Sequence, residues 1–288
     1  MAQTAGATLP NRCGEQFLPP YDARVIKTRD DTTVIYELRA SNGAQYFYKE
    51  NFQSAQGERA IFDDLGMAAL AYRMAKETGL GDALPETAWR SGVAVKIGDH
   101  VFRTRPGVLQ AGIPEFVTPL DDFRKLHPDA ALNSEALKEV LNSGDWPRLY
   151  ADWKIFWNIF QQVDLNIANL ARTGTKLIIF DLGDAFNLPA SRKKMGVISE
   201  KEASKYAMPG NPNDFAEFRP DFRVADPEFK EFVRIIANAS DEELAHFLGK
   251  SPDDYLISPR GQVRTHVQAM RNEATRILKI LHQTPFDY

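Results

Sequence analysis

Asp164-Leu-Asn-Ile-Ala-Asn169 and Asp181-Leu-Gly183-Asp184 are separated by eleven residues, Leu170-Ala-Arg-Thr-Gly-Thr-Lys-Leu-Ile-Ile-Phe180. That spacer constrains the fold. Gly174 suits the tip of a tight turn, and Leu177-Ile-Ile-Phe180 reads as a buried strand leaving it. A hairpin this short brings its two flanks together, so the acid and amide before it meet the acid after it. Amide and carboxylate oxygens are the hard donors that magnesium takes. An Asp that orients an attacking hydroxyl, with an Asn and a second Asp that hold magnesium against phosphates, is the set phosphoryl transfer requires. Asp164 is the candidate for the hydroxyl, and Asn169 and Asp181 for the metal. Asp184 either joins the metal or caps the next turn. Two polar loops around a strand would contain the same residues, because Asp and Asn are common turn formers.

The rest of the chain divides around this motif. Residues 1–20 read as a flexible tail ending at Pro19-Pro20. Strand-like runs over 23–28, 32–39 and 44–49 are separated by turn residues and form an antiparallel meander. Apolar residues Ile61, Leu65, Ala68, Tyr72 and Ala75 repeat at helical spacing, which predicts a helix over 55–78 ended by Gly79. Two further strands are expected over 87–95 and 100–104. Arg105-Pro-Gly-Val-Leu-Gln-Ala-Gly-Ile-Pro114 then reads as a connector. The second half is helical. Helices are expected over 134–141, over 147–162 with a Trp153, Phe156, Trp157 and Phe160 core stripe, and in three segments after residue 225. Asp226-Pro227-Glu228 and Ser240-Asp-Glu-Glu243 are start signals for two of these. The third spans 262–282, with Val263, Val267, Met270, Ile277 and Leu281 inward. Residues 187–225 form a long irregular segment. The expectation is an α+β fold of two lobes: a tail at 1–20, a β-rich lobe at 21–105 and a helical lobe at 106–288.

Phosphoryl transfer also requires a cation on the nucleotide phosphates. Lys49, at the end of the third predicted strand, is the candidate, with Lys96 as an ordinary strand-end lysine for contrast. A carboxylate from the following helix would hold it; Glu58 is preferred over Asp63 and Asp64. The net charge of −4 argues against nucleic acid as the main partner. A single cysteine, Cys13, precludes a disulfide within the chain and fits a reducing compartment. No segment approaches 18 continuous apolar residues, so no membrane insertion is expected. The five histidines carry no zinc-site spacing, and no Gly-x-Ser-x-Gly elbow or Gly-x4-Gly-Lys-Ser/Thr loop occurs.

Four stretches together resemble the protein kinase-like superfamily, in the atypical branch that includes HipA-type kinases and phosphatidylinositol 3- and 4-kinases. They are Tyr46-Phe-Tyr-Lys49; Ala71-Tyr-Arg-Met-Ala-Lys-Glu-Thr-Gly-Leu80 with Leu84-Pro-Glu-Thr87; Asp164-x4-Asn169; and Phe180-Asp-Leu-Gly183. The resemblance implies that Lys49 binds ATP phosphates, Glu58 supports it, Asp164 is the catalytic Asp, and Asn169 and Asp181 bind Mg2+ or Mn2+. It also implies a hinge around residues 103–109 whose backbone meets adenine. The chain departs from the pattern at Gln162-Val163, where an Arg is usual before the catalytic Asp. It departs again at Thr28-Arg-Asp-Asp-Thr32, which has no glycine to cover phosphates, and at Ala68, where the branch places its glutamate.

The expected function is ATP- and Mg-dependent phosphoryl transfer, first to a protein Ser/Thr hydroxyl. The alternatives are a lipid or small-molecule acceptor, nucleotidyl transfer on the same fold, or a silent nucleotide-binding or interaction module. The expected location is the cytoplasm, or a host cell if the N-terminal stretch is the secretion tag of a bacterial effector.

Overall fold

The structure is a computed structural model that describes residues 9, 18–29, 33–51, 58–130, 134–160, 167–180, 220–249 and 260–282. Its first half is a seven-stranded sheet in the order β4-β7-β3-β2-β1-β5-β6. The strands are β1 (Tyr21–Arg29), β2 (Thr33–Arg39), β3 (Gln45–Asn51), β4 (Thr87–Arg90), β5 (Ala94–Ile97), β6 (His100–Arg103) and β7 (Gly107–Ala111). β1, β2 and β3 pair antiparallel in sequence order, which is the expected meander. β5 then pairs parallel with β1 through Tyr21↔Val95 and Asp22↔Lys96.

Alternation sorts the side chains of the central strands onto two faces. Tyr36, Leu38, Tyr46, Tyr48, Leu109 and Ala111 point one way and form a buried core with Tyr21, Val93 and Val95. Glu50 lies on that face too. It accepts hydrogen bonds from the Tyr36 hydroxyl at 2.9 Å and the Arg105 N–H at 2.6 Å. Burial, then the Glu50 carboxylate beside it, pushes the Tyr36 phenol well above its ordinary value. These bonds satisfy a carboxylate that would otherwise be costly to bury.

Two readings of this half are corrected. The run 87–95 is two strands, because the chain breaks between Arg90 and Ala94. Arg105–Pro114 is not a connector in its first half. Gly107–Ala111 is an inner strand lying between β3 and β4, and the chain leaves the sheet only after Ala111. Gly107 is needed there, since a Cβ would drive into the Lys49 carbonyl oxygen and the Tyr48 ring.

Helix α1 (Glu58–Glu77) follows β3. Nothing is described of its side chains before Ala68. Its inner residues Ala68, Ala71, Met74 and Ala75 are buried in the core of the helical half rather than in the sheet core. Among its described side chains, Ala69 packs on the sheet, against Trp89 and Val108. The helical half contains α2 (Pro119–Leu126), α3 (Ser134–Leu141), α4 (Trp146–Ile159), α5 (Pro227–Asn238), α6 (Asp241–Gly249) and α7 (Arg260–His282). α4 is buried all round, through Tyr150, Trp153, Ile155, Phe156 and Ile159, and is the centre of this lobe. The expected stripe on α4 is core: Trp153, Phe156 and Phe160 are buried, and Trp157 packs at its margin. α5 buries Phe229, Phe232, Val233 and Ile236 at helical spacing. α7 buries Met270 and Ile277 as expected, with Ala274 between them. Among the described residues, no helix is long and apolar enough to cross a membrane.

Candidate functional site

Lys49 lies in β3, paired on one side with Ile35 and on the other with Val108. Its neighbours Tyr48 and Glu50 face the sheet core, so Lys49 faces the opposite side. Val108 and its partner Trp89 share that side, and α1 packs there through Ala69. Lys49 is half-buried and engaged in an interaction of its own. Register therefore puts this lysine on the side of the sheet that carries α1. Glu58 is the first residue of α1, and its side chain lies outside the described part, as do those of Asp63 and Asp64. Lys96 is exposed on β5, three strands away from β3 across β2 and β1.

The predicted hairpin is present. β8 (Leu170–Thr173) pairs with β9 (Lys176–Ile179) across a two-residue loop, Gly174-Thr175. Gly174 has φ of +60° at the first loop position, the conformation that a II′ hairpin turn demands and that glycine takes without strain. At the open end, the Phe180 N–H donates to the Asn169 carbonyl oxygen at 2.9 Å. Asn169 thus stands opposite Phe180, whose chain neighbour is Asp181. Asn169 itself is buried, in a single 3-10 turn that leads into β8. Asp164, Asp181 and Asp184 lie outside the described residues, so of the candidate residues flanking the hairpin the structure describes Asn169.

Side chains hold the hairpin from outside. The connector after β7 runs alongside β8, with Val117 and Arg172 exchanging backbone bonds of 2.9 and 2.8 Å. Phe116 packs on Phe180 with ring centroids 4.8 Å apart. Arg172 donates to Asp122 on α2 at 3.1 Å and to the Gly174 carbonyl at 3.0 Å, and lies over the Trp146 ring. Burial raises the Asp122 pKa, but hydrogen bonds from Arg172, Trp146 and Lys125 outweigh it and hold the carboxyl below its ordinary value. At the tip, Arg148 of α4 donates to the Thr175 carbonyl at 2.6 Å and also pairs with Asp226.

β7, α2 and the roles of these two arginines were missed in the sequence. Thr118-Pro119-Leu-Asp121 was a usable signal: Thr118 and Asp121 form a reciprocal capping box with proline in the first turn. The arginine contacts with Thr175, Asp122 and Asp226 join residues 27 to 78 positions apart and leave no local pattern. The hinge read at 103–109 is also corrected, since Arg103 ends β6 and Val108 and Leu109 are buried in β7.

Asn169 carries an amide oxygen, a hard donor of the kind that Mg2+ or Mn2+ takes in preference to a soft metal. Among the described residues, no group of three His, Cys, Asp or Glu side chains gathers as a metal site.

No protein-family model matches the chain, and a search of curated proteins finds no relative. Solved structures match along most of its length. The proinflammatory kinase CtkA of Helicobacter pylori aligns with a TM-score of 0.52 at 11% identity, over 92% of this chain and 98% of that one. A hydra Fam20 structure with sugar gives 0.51 at 11% identity, over 92% and 85%. A Golgi casein kinase with Mn and ADP bound gives 0.50 at 10%, over 92% and 73%. The fold is protein kinase-like: a curled β-sheet lobe followed by a helical one.

Proposed function

We propose that this chain is a metal- and ATP-dependent phosphotransferase acting on a hydroxyl, with a protein Ser or Thr as the first acceptor class. The observation that carries this reading is the hairpin register. It stands Asn169 against Phe180, one residue before Asp181, while Lys49 occupies the α1-bearing side of an inner strand. Two kinases of the same fold, CtkA and the Golgi casein kinase, support it. The relation to HipA-type and phosphatidylinositol kinases belongs to the same reading and is supported by the four sequence stretches alone.

In this account Lys49 binds the nucleotide phosphates, and Glu58 fixes its rotamer. Asn169 and Asp181 supply oxygen ligands to Mg2+ or Mn2+. The bound metal would neutralise charge on the phosphates. Asp164 would orient the acceptor hydroxyl and take its proton as the oxygen attacks the γ-phosphorus, the bond to the β–γ bridging oxygen breaks and ADP leaves. The chain between Gly112 and Val117, just past β7, takes the place of the hinge read at 103–109. A cytoplasmic location or delivery as a bacterial effector fits this reading equally.

Labelled ATP with Mg2+ or Mn2+, incubated with the protein alone and with lysates, tests it. Transfer of label from the γ position supports phosphorylation. Transfer from the α position supports nucleotidyl transfer, which the glycine-free link between β1 and β2 favours as the second reading. Transfer of neither label would overturn both.

A further inference from the structure

The helical lobe contains a polar cluster around one buried carboxylate that nothing above uses for chemistry. Asp152 of α4 is fully buried. Its Oδ1 accepts the N–H of Asp226, the residue that caps α5, at 2.7 Å. Its Oδ2 lies 3.5 Å from Arg148, one turn earlier on α4. Arg148 uses one arm for the Asp226 carboxylate and the other for the Thr175 carbonyl at the hairpin tip. One arginine thus ties together the central helix, the start of α5 and the hairpin whose root carries Asn169.

We propose that Arg148, Asp152 and Asp226 form a positioning clamp that sets the β8–β9 hairpin against α4, and through it the place of Asn169. The clamp's effect on transfer rests on the phosphotransferase reading; its effect on the hairpin does not. An arginine fork suits the role, because its planar donors engage a carboxylate and a carbonyl at once while a lysine ammonium has no such fork.

The charge state of the clamp follows from its surroundings. Burial, with the neighbouring Asp226 carboxylate, pushes Asp152 up to about 8, against the opposing effects of the Asp226 N–H and Arg148. The cationic groups on adjoining elements are engaged elsewhere. Arg223 pairs with Asp221, Lys230 donates to the Arg223 carbonyl, and Arg271 pairs with Asp241 and donates to the Ala239 carbonyl. At neutral pH a protonated Asp152 leaves Arg148 and Asp226 as a balanced pair. Losing that proton leaves an excess negative charge in a buried place, which is costly.

Amide hydrogen exchange on the full chain tests the clamp without reference to activity. In Arg148→Ala, protection of the Phe180 amide and of the β9 amides should fall at least tenfold, while buried amides of α5 and α7 keep theirs. Arg148→Lys covers the case in which the alanine variant fails to fold, and should show the same local loss. Asp152→Asn keeps an oxygen for the Asp226 N–H and should leave hairpin protection at the wild-type level. In the lysine variant, the Mn2+ concentration for half-maximal ATP turnover should also rise at least tenfold, with turnover in Asp152→Asn close to wild type. Loss spread evenly over the helical lobe, or unchanged hairpin protection in Arg148→Lys, would overturn the clamp. A wild-type protein with no turnover would contradict the phosphotransferase reading, while the exchange pattern would still decide the clamp.

Discussion

Lys49 lies on an inner strand, with a backbone-paired neighbour on either side. Asn169 stands at the root of a two-stranded hairpin, and that hairpin is held from outside by Arg148 and Arg172. The first position is set by many equivalent ladder bonds and by alternation over a buried face. The second depends on a few side chains that cross long stretches of sequence. The sheet should tolerate the loss of any one polar contact, whereas the hairpin should be sensitive to single arginine changes. The two halves differ in packing too. The sheet keeps a separate core of aromatic and aliphatic residues, and α1 buries Ala68, Ala71, Met74 and Ala75 with the helical lobe instead.

The largest expected effect is in the helical core. Phe156 is fully buried and stacks on Phe160 at 4.1 Å. Phe156→Ala should destabilise the protein by about 3–5 kcal/mol, because it leaves a cavity where an aromatic ring was packed. Because α1 shares this core, urea unfolding should show α1 and the helical lobe losing structure together. If α1 instead unfolds with the sheet, the assignment of α1 to the helical lobe is broken.

A smaller effect is expected in the sheet. Gly107→Ala places a methyl group against the Lys49 backbone carbonyl and the Tyr48 ring. Separating β3 and β7 should cost about 1–3 kcal/mol, read as a shift of the denaturation midpoint. The same change should weaken ATP binding through Lys49 while leaving exchange at the hairpin unchanged. Altered hairpin protection in this variant would show that the two site regions are not independently held.

The two regions also differed in how far they were legible. Strands β1 to β3 and helix α4 follow from alternation and helical periodicity, which are local signals. The β8–β9 hairpin was legible for the same reason, since Gly174 and Leu177–Phe180 state a turn and a strand. β7 was not, because Pro106 and Gly107 look like a linker until the close approach to Lys49 explains the glycine. Asp226 was read only as a helix start, and Asp152 was not singled out. Their pairing across 74 residues is set by tertiary packing, which one sequence does not display. Lys49 and Asn169 were picked out by residue type and spacing, and the structure adds the register in which each stands.

Stability should also depend on pH through the helical lobe. The folded-state pKa of Asp152, about 8, is above that of a free Asp. Between roughly pH 4 and 8 the folded protein therefore holds a proton that the unfolded chain has released. Stability falls as pH rises through that window, with a limiting slope of about 1.4 kcal/mol per pH unit from this group. Denaturation midpoints of the wild type and Asp152→Asn between pH 5 and 8 check this: the variant should have the flatter profile. Parallel profiles would remove Asp152 as the titrating group.

The most direct test of the central claim is metal-dependent ATP binding measured on five proteins: wild type, Asn169→Ala, Lys49→Ala, Asp181→Asn and the control Lys96→Ala. With Mn2+ and ATP at about 100 times its dissociation constant, the wild type should gain about 2.7 kcal/mol of stability. The account predicts at least tenfold weaker binding in the first three variants and wild-type binding in Lys96→Ala. ATP binding that needs no metal and is unaffected by Asn169→Ala and Lys49→Ala would contradict it.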